Sequence, residues 1–198
     1  MFGIQKSSTS KMLTLTHRLK TRKLSFEKPP LEIFSKLYNN YESAYILESI
    51  EGPKKLSQYS FIGFDPTLTI TIKNGEAVIR NERTGEEERK KVNEPLAIIQ
   101  KTLKNLPGFK EQRFIGGAVG YISYDAVRCW EKLPERALDD QNFPDIEVGV
   151  FDDGIVYDHR NKQAFYYHLN ENRLAEIDEL LQEPEEHEGL SHKQLKVN

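Results

Sequence analysis

The sequence predicts an α+β fold, in which antiparallel strand meanders and hairpins form a sheet and helices pack on it. Several segments alternate apolar and polar residues, as strands with one buried face do. Asn74-Gly75 stands between two such segments and is a strong hairpin signal. Segments with helical spacing occur singly between groups of strands, so hairpins dominate over βαβ units.

The first half of the chain predicts a helix, a set of strands and a second helix. Pro29-Pro30 opens the first helix, and a strand at about 43–50 follows it. The next three predicted strands read "QYSFIGF", "TLTITIK" and "EAVIRNE". Asn93 is the predicted N-cap of the second helix, "NEPLAIIQKTLKNL". The predicted apolar faces of the two helices consist of Leu31, Phe34, Leu37, Tyr38 and Tyr41, and of Leu96, Ile99, Leu103 and Leu106.

The second half predicts four more strands and two helices. "RFIGGAVGYISYD" is a strand that contains glycines, and "DAVRCWEKL" is a short helix with Asp125 as its cap. Residues 146–169 alternate and turn twice, at 152–154 and at 159–162, which predicts three antiparallel strands. The inward residues of the last helix, "NENRLAEIDELLQ", are Leu174, Ile177 and Leu181.

Composition limits the class of protein. The chain has 198 residues, of which 37% are hydrophobic and 30% charged, and its net charge is −3 with a pI near 6.0. No apolar run reaches the ~18 residues of a membrane-spanning helix. No basic excess favours nucleic acid, so we expect neither a membrane nor a nucleic acid as partner. The single cysteine, Cys129, excludes an internal disulfide and fits a cytoplasmic location.

The charge is uneven along the chain. Residues 1–28 hold seven Lys or Arg against one acid, and residues 171–188 hold eight acids against one Arg. We therefore predict three parts: a basic, disordered leader over 1–23, a folded domain over 24–182, and an acidic linker over 183–198. An organelle transit peptide is the alternative for the leader.

One strand end carries polar groups that a buried strand does not need. In "AYILESIEG", residues 44–52, Glu48 and Ser49 end an otherwise apolar run. Side chains alternate across a strand, so whichever face is buried has one of these two groups near it. An unpaired carboxylate in the interior is costly, so Glu48 needs a cation, N–H donors or a solvent-connected pocket. The alternative is that the strand has already ended and both groups face water.

The other polar motifs predict structure rather than chemistry. "GGAVGY", residues 116–121, lacks the spacing of a phosphate-binding loop, and its glycines are expected to allow close backbone packing or a bulge. The five histidines show no metal-binding spacing, and Cys129, with no evident base, is expected to be a buried packing thiol. Two acidic pairs are expected to be solvated turn residues, namely Asp139-Asp140 and Asp152-Asp153.

Four motifs, in this order, resemble a known family. "YILESIEG", "QYSFIGFDP", "FIGGAVGYISYDAVRCWEKLP" and "FPDIEVGVFDDGIVYDH" are similar to the N-terminal region of anthranilate synthase component I, a chorismate-utilising enzyme. The resemblance implies an enzyme of tryptophan biosynthesis, a lyase that converts chorismate and ammonia to anthranilate and pyruvate. It also implies a partner, the glutamine amidotransferase subunit (component II), which delivers the ammonia.

The resemblance implies a regulatory site at the strand end. In the family, this strand end binds L-tryptophan, the end product, which inhibits the enzyme. The ligand's ammonium needs an acceptor, its carboxylate needs donors, and its indole needs an apolar slot. The family usually has Arg at the position of Gln58, so no charge network is carried over there. The tryptophan-binding residues implied by the match are Leu47, Glu48, Ser49, Tyr59 and Ser60.

The resemblance also implies what lies outside this chain. In the family, chorismate, Mg²⁺ and the catalytic residues belong to a C-terminal chorismate-binding region. We therefore expect no catalytic residue, metal or cofactor within this chain, no activity of the chain alone, and a linker that leads to that region as its partner. Two alternatives remain open: the N-terminal part of aminodeoxychorismate synthase component I, of folate biosynthesis, and a free-standing, non-catalytic interaction module of the same fold.

Overall fold

The computed structural model describes residues 19–25, 27–48, 58–103, 116–134 and 139–183. Within these residues, ten strands form two antiparallel sheets with helices packed on them, so the predicted α+β class is confirmed. In the same ranges, no helix is long and apolar enough to cross a membrane. The strands β1 to β10 are, in chain order, Lys20–Lys23, Ala44–Leu47, Tyr59–Phe64, Leu68–Lys73, Glu76–Asn81, Glu87–Lys91, Gly117–Ile122, Ile146–Phe151, Asp153–Asp158 and Gln163–His168. The helices α1 to α3 are Pro30–Asn40, Pro95–Leu103 and Leu174–Gln182, and a 3₁₀ helix covers Tyr124–Cys129.

The first sheet carries the strand end that the sequence singled out. Its order is β1-β10-β9-β3-β2, and every neighbouring pair is antiparallel. Helices α1 and α3 pack on one face, because each has a stripe of apolar residues at helical spacing. Each large apolar side chain buried there contributes about 1.5–3 kcal/mol. The largest fully buried members of this core are Ile33, Leu37, Ile62, Phe64, Ile155, Tyr166, Ile177 and Leu181.

The second sheet has the order β6-β5-β4-β8-β7 and is also antiparallel throughout. Helix α2 packs on the face that holds Ile70 of β4 and Val148 of β8. The hairpin predicted at Asn74-Gly75 is confirmed. Both residues have a positive φ, of 48° and 73°, as the tight turn between β4 and β5 requires.

The chain passes between the two sheets at two places. Residues 65–67 lead from β3 to β4, and Asp152 alone separates β8 from β9. The hairpin turn predicted at 152–154 is therefore wrong, because β8 and β9 belong to different sheets. The three predicted strands over this part of the chain do form, but β9 pairs with β10 and β3 instead of β8.

Several local predictions need correction. Residues 20–23, assigned to the leader, form β1 and pair with β10. The 3₁₀ helix is capped by Ser123, whose hydroxyl accepts from the backbone N–H of Ala126, and not by Asp125. Three side chains predicted to face inward are exposed, because each lies outside the buried face of its helix. They are Leu31, Tyr38 and Leu96.

Some predicted features lie outside the described residues. They are residues 1–18 of the leader, Ser49, Leu106 and residues 184–198 of the acidic linker. The inward prediction for the last helix is confirmed, since Ile177 and Leu181 are fully buried and Leu174 packs against them.

Candidate functional site

Three strand ends of the first sheet bring polar side chains together. Glu48 follows β2, Ser60 lies near the start of β3, and His159 follows β9. Strand β3 is antiparallel to both neighbours, so it begins where β2 and β9 end. The register therefore places Glu48 and His159 on the two sides of Ser60. We call these three residues the strand-end cluster.

The strand-end cluster lies on the helix-covered face of the sheet. Each member stands two residues from a core residue of its own strand segment, and residues two apart point to the same face. These core neighbours are Ile46, Ile62 and Tyr157. The cluster is therefore the polar end of the apolar core beneath α1 and α3.

Hydrogen bonds join the cluster into one unit. Ser60 is completely buried, and its Oγ lies 3.0 Å from Glu48 Oε1 and 2.7 Å from His159 Nε2. Glu48 Oε1 and His159 Nε2 are 3.7 Å apart. The Glu48 and His159 side chains are 30% and 34% exposed, so solvent or a ligand can reach both. The cluster thus offers an anchored carboxylate as acceptor for a cationic group.

The structure brings together two of the five residues named from the sequence. Glu48 and Ser60 bond to each other, whereas Leu47 and Tyr59 lie on the opposite face of the sheet, as strand alternation requires. The Tyr59 hydroxyl accepts a hydrogen bond of 2.9 Å from Gln58 Nε2. Ser49 is outside the described residues. The alternative, a strand that has already ended with both groups in water, holds in part: β2 ends at Leu47, but the Glu48 carboxylate that follows it accepts a hydrogen bond from a buried hydroxyl.

The role of His159 was not predicted from the sequence. This residue follows Ser60 by 99 residues, and no local pattern links the two. The available signal was the end of the "GIVYDH" strand, because a polar residue two positions beyond a buried tyrosine continues the buried face of that strand.

A second charged cluster is structural. Asp152 and Asp153, predicted to be solvated, are buried, with 6% and 3% of their surface exposed. The guanidinium of Arg173 donates to both oxygens of Asp153, at 3.0 and 2.9 Å, and to Asp65 at 2.6 Å. The guanidinium also lies over the Phe64 ring, 4.9 Å from its centroid. These contacts tie the start of α3 to the first crossing, at Asp65, and to Asp153, the first residue after the second crossing.

The electrostatics of this second cluster follow from burial. Burial raises the pKa of the Asp153 carboxyl, while the hydrogen bonds from Arg173 and Tyr166 act in the opposite direction. Burial also raises the pKa of the Tyr166 hydroxyl, which donates to Asp153 at 2.8 Å. Both oxygens of the Asp153 carboxylate accept hydrogen bonds from protein donors, which suits a structural role.

The remaining motifs have structural explanations. A Cβ at Gly120 would lie 2.0 Å from the Glu147 carbonyl oxygen, so the close packing predicted for "GGAVGY" is confirmed. Cys129 is half-buried, and burial raises the pKa of its thiol, which disfavours the reactive thiolate. Asp139 is exposed and pairs with Lys73. Among the described residues, no group of three or more His, Cys, Asp or Glu side chains could hold a metal ion.

Comparison with known proteins finds relatives named anthranilate synthase component 1 and aminodeoxychorismate synthase component 1. Anthranilate synthase component 1 of Methanothermobacter thermautotrophicus is 40% identical over 156 residues, which cover 79% of this chain and 32% of that protein. Aminodeoxychorismate synthase component 1 of Bacillus subtilis is 34% identical over 170 residues, which cover 83% and 35%. The chain thus spans about a third of the length of the relatives that it matches.

A solved structure and a family profile also match the chain. The structure, anthranilate synthase component I from Streptococcus pneumoniae TIGR4, is 21% identical with a TM-score of 0.48, over 81% of this chain and 34% of that chain. The profile, described as chorismate binding enzyme, matches residues 42–198 and so includes the strand-end cluster. The chain belongs to the chorismate binding enzyme family.

Proposed function

We propose that this chain is the N-terminal, tryptophan-binding part of an anthranilate synthase component I. The observation that carries the proposal is the strand-end cluster, in which a partly exposed carboxylate is anchored at the rim of an apolar core. The cluster lies at the strand end that the resemblance pointed to. Relatives named anthranilate synthase component 1 that are 36–40% identical to the chain support the choice of enzyme.

The cluster suits the polar end of a free amino acid. An ammonium group carries three donors and no acceptor, so it needs acceptors such as a carboxylate. The hydrogen bonds among the described residues reach Glu48 through Oε1, and we assign Oε2 to the ligand's ammonium. Ser49, which stays a sequence-based prediction, would serve the ligand's carboxylate.

Inhibition requires more than this chain. A ligand shifts an equilibrium only by the difference of its affinity for the two states, so tryptophan must favour one arrangement of this chain with the region that holds chorismate. We propose that this region is a C-terminal one that also binds Mg²⁺, with an amidotransferase subunit as ammonia source and the cytoplasm as location. On this proposal the chain alone forms no anthranilate.

Calorimetry with L-tryptophan tests the proposal. The chain is titrated alone and together with the separately made C-terminal two-thirds of the Methanothermobacter thermautotrophicus relative. Glu48→Gln should weaken L-tryptophan binding by about tenfold or more, since a hydrogen bond to a charged group contributes about 1.5–3 kcal/mol. It should barely change the binding of indole-3-propionate, which lacks the ammonium. Ser49→Ala, from the sequence prediction, should also weaken L-tryptophan binding.

Glu42→Gln is the matched control, because Glu42 is an exposed glutamate on the segment just before the same strand. This variant should bind L-tryptophan as the unmodified chain does. No heat of binding, either for the chain alone or for the chain with the C-terminal part, would refute the proposed site. Equal affinity for L-tryptophan in Glu48→Gln and Glu42→Gln would refute it as well.

The second candidate is the aminodeoxychorismate enzyme of folate biosynthesis. The Bacillus subtilis relative, 34% identical, favours it. Product analysis of the assembled enzyme with chorismate and ammonia decides between the two, because anthranilate formation is accompanied by pyruvate release and aminodeoxychorismate formation is not.

A further inference from the structure

The buried hydroxyl of Ser60 determines how protons are arranged in the strand-end cluster. A serine has one hydroxyl proton, and an ionised carboxylate can only accept. With Glu48 Oε1 as the acceptor of the Ser60 proton, at 3.0 Å, the Ser60 oxygen is left to accept from His159 Nε2, at 2.7 Å, in the tautomer that carries a proton on that nitrogen. The donors run in one direction, from His159 through Ser60 to Glu48, and this requires a proton on His159 Nε2.

His159 is held firmly enough to serve as the fixed end of this chain of hydrogen bonds. Its backbone N–H donates to the Gln58 carbonyl oxygen at 2.9 Å. Its ring lies edge-on to the Tyr157 ring, with centroids 5.0 Å apart at 70°. The turn that follows is closed by the Asp158 carboxylate, which accepts from the Arg160 backbone N–H at 2.9 Å. The imidazole is therefore placed by the sheet and by a closed turn.

We propose that His159 is a positioning residue of the candidate amino-acid site: through Ser60 it holds the Glu48 carboxylate so that Oε2 faces the ligand's ammonium. This inference rests on the proposed function. If His159 carried its proton on Nδ1 instead, the Ser60 proton would have two acceptors, Glu48 Oε1 and His159 Nε2. If the ring were removed, the place of Nε2 would be empty and the Ser60 oxygen would lose its donor. In both cases the glutamate side chain would be held less firmly and could turn into solvent. A carboxylate fixed in advance binds a cation better than one that must be ordered at binding.

The test compares His159→Gln with His159→Ala in the calorimetry described above. The Gln amide nitrogen can occupy the place of Nε2 and donate to Ser60, whereas Ala removes the donor. We expect His159→Ala to weaken L-tryptophan binding by about fivefold to tenfold and His159→Gln to stay within about twofold of the unmodified chain. Neither variant should change the binding of indole-3-propionate by more than about twofold. Equal weakening by both variants would mean that the ring only packs, and would overturn the proposal.

A second measurement needs no ligand and separates the two failures. Nitrogen-15 NMR of the unliganded chain reports which ring nitrogen of each of the five histidines carries a proton, and the His159→Gln variant assigns the His159 signal. Protonated Nε2, whose signal shifts in Ser60→Ala, is the expected result. An Nδ1–H tautomer, or no shift in Ser60→Ala, would overturn the positioning role even if L-tryptophan binds. Absence of L-tryptophan binding with the expected NMR result would instead overturn the proposed function.

Discussion

Replacement of Arg173 by Met should destabilise the fold far more than replacement of Arg83 by Met, although both guanidinium groups reach the carboxylate of Asp65. The difference lies in burial. The Arg173 side chain is 7% exposed and also bonds Asp153, whose side chain is 5% exposed, whereas Arg83 is 33% exposed. Methionine keeps the apolar stem in both variants, so the comparison isolates the charged end.

The expected magnitude follows from what each variant leaves behind. Without Arg173, the buried Asp153 carboxylate loses its counter-ion, and removal of one partner of a buried pair costs about 3–5 kcal/mol. Without Arg83, the Asp65 carboxylate keeps Arg173, and a partly exposed pair contributes about 0–1 kcal/mol. For a chain of this size, 1 kcal/mol shifts Tm by roughly 2–4 °C, so Arg173→Met should lower Tm by roughly 6–20 °C.

Urea denaturation followed by far-ultraviolet circular dichroism measures the free energy of unfolding of each variant. The double variant Arg173→Met with Asp153→Leu is the decisive control, because it leaves no unpaired charge at Asp153. It should recover much of the loss. The reasoning would be refuted if Arg173→Met and Arg83→Met differed by less than about 1 kcal/mol, or if the double variant were less stable than Arg173→Met alone.

Two further predictions concern the second sheet. Gly120→Ala should lower the free energy of unfolding by about 1–3 kcal/mol, because the added Cβ would lie 2.0 Å from the Glu147 carbonyl oxygen. The loss should exceed that of Gly85→Ala, whose Cβ would meet no atom although the residue has a φ of 73°. Urea denaturation measures both variants, and the reverse order would contradict the close approach at Gly120. The hydrogen bond from Lys73 lowers the pKa of the Asp139 carboxyl, so this group stabilises the fold above its unfolded pKa and the contribution is lost as pH falls through the folded pKa. Between about pH 5 and pH 2, thermal unfolding should therefore show a smaller loss of stability for Asp139→Asn than for the unmodified chain. High salt should reduce this difference between the two proteins. Equal acid sensitivity of the two proteins would contradict the prediction.

Local signals predicted the local structure. The Asn74-Gly75 hairpin and the inward residues of α3 depend on neighbours within a few positions, and the structure confirms both. The division of the strands between two sheets depends on contacts between residues distant in sequence. The sequence around Asp152, where the chain passes from one sheet to the other, therefore predicted a hairpin turn. The burial of Asp153 was not predicted for the same reason. Its counter-ion, Arg173, lies 20 residues further along the chain, and the local sequence around Asp153 resembles a solvated turn.

The strand-end cluster shows which half of a site a sequence can reveal. Glu48 was found because a carboxylate at the end of an apolar strand conflicts with its local pattern. His159 conflicts with nothing nearby, since a polar residue that opens a turn is ordinary. The structure joins them because β3 is antiparallel to β2 and β9, and its start must lie beside both of their ends. In an antiparallel sheet, the partners of a polar residue at a strand end are therefore found at the start of the adjacent strand, as Ser60 is here, and at the end of the strand two places away, as His159 is.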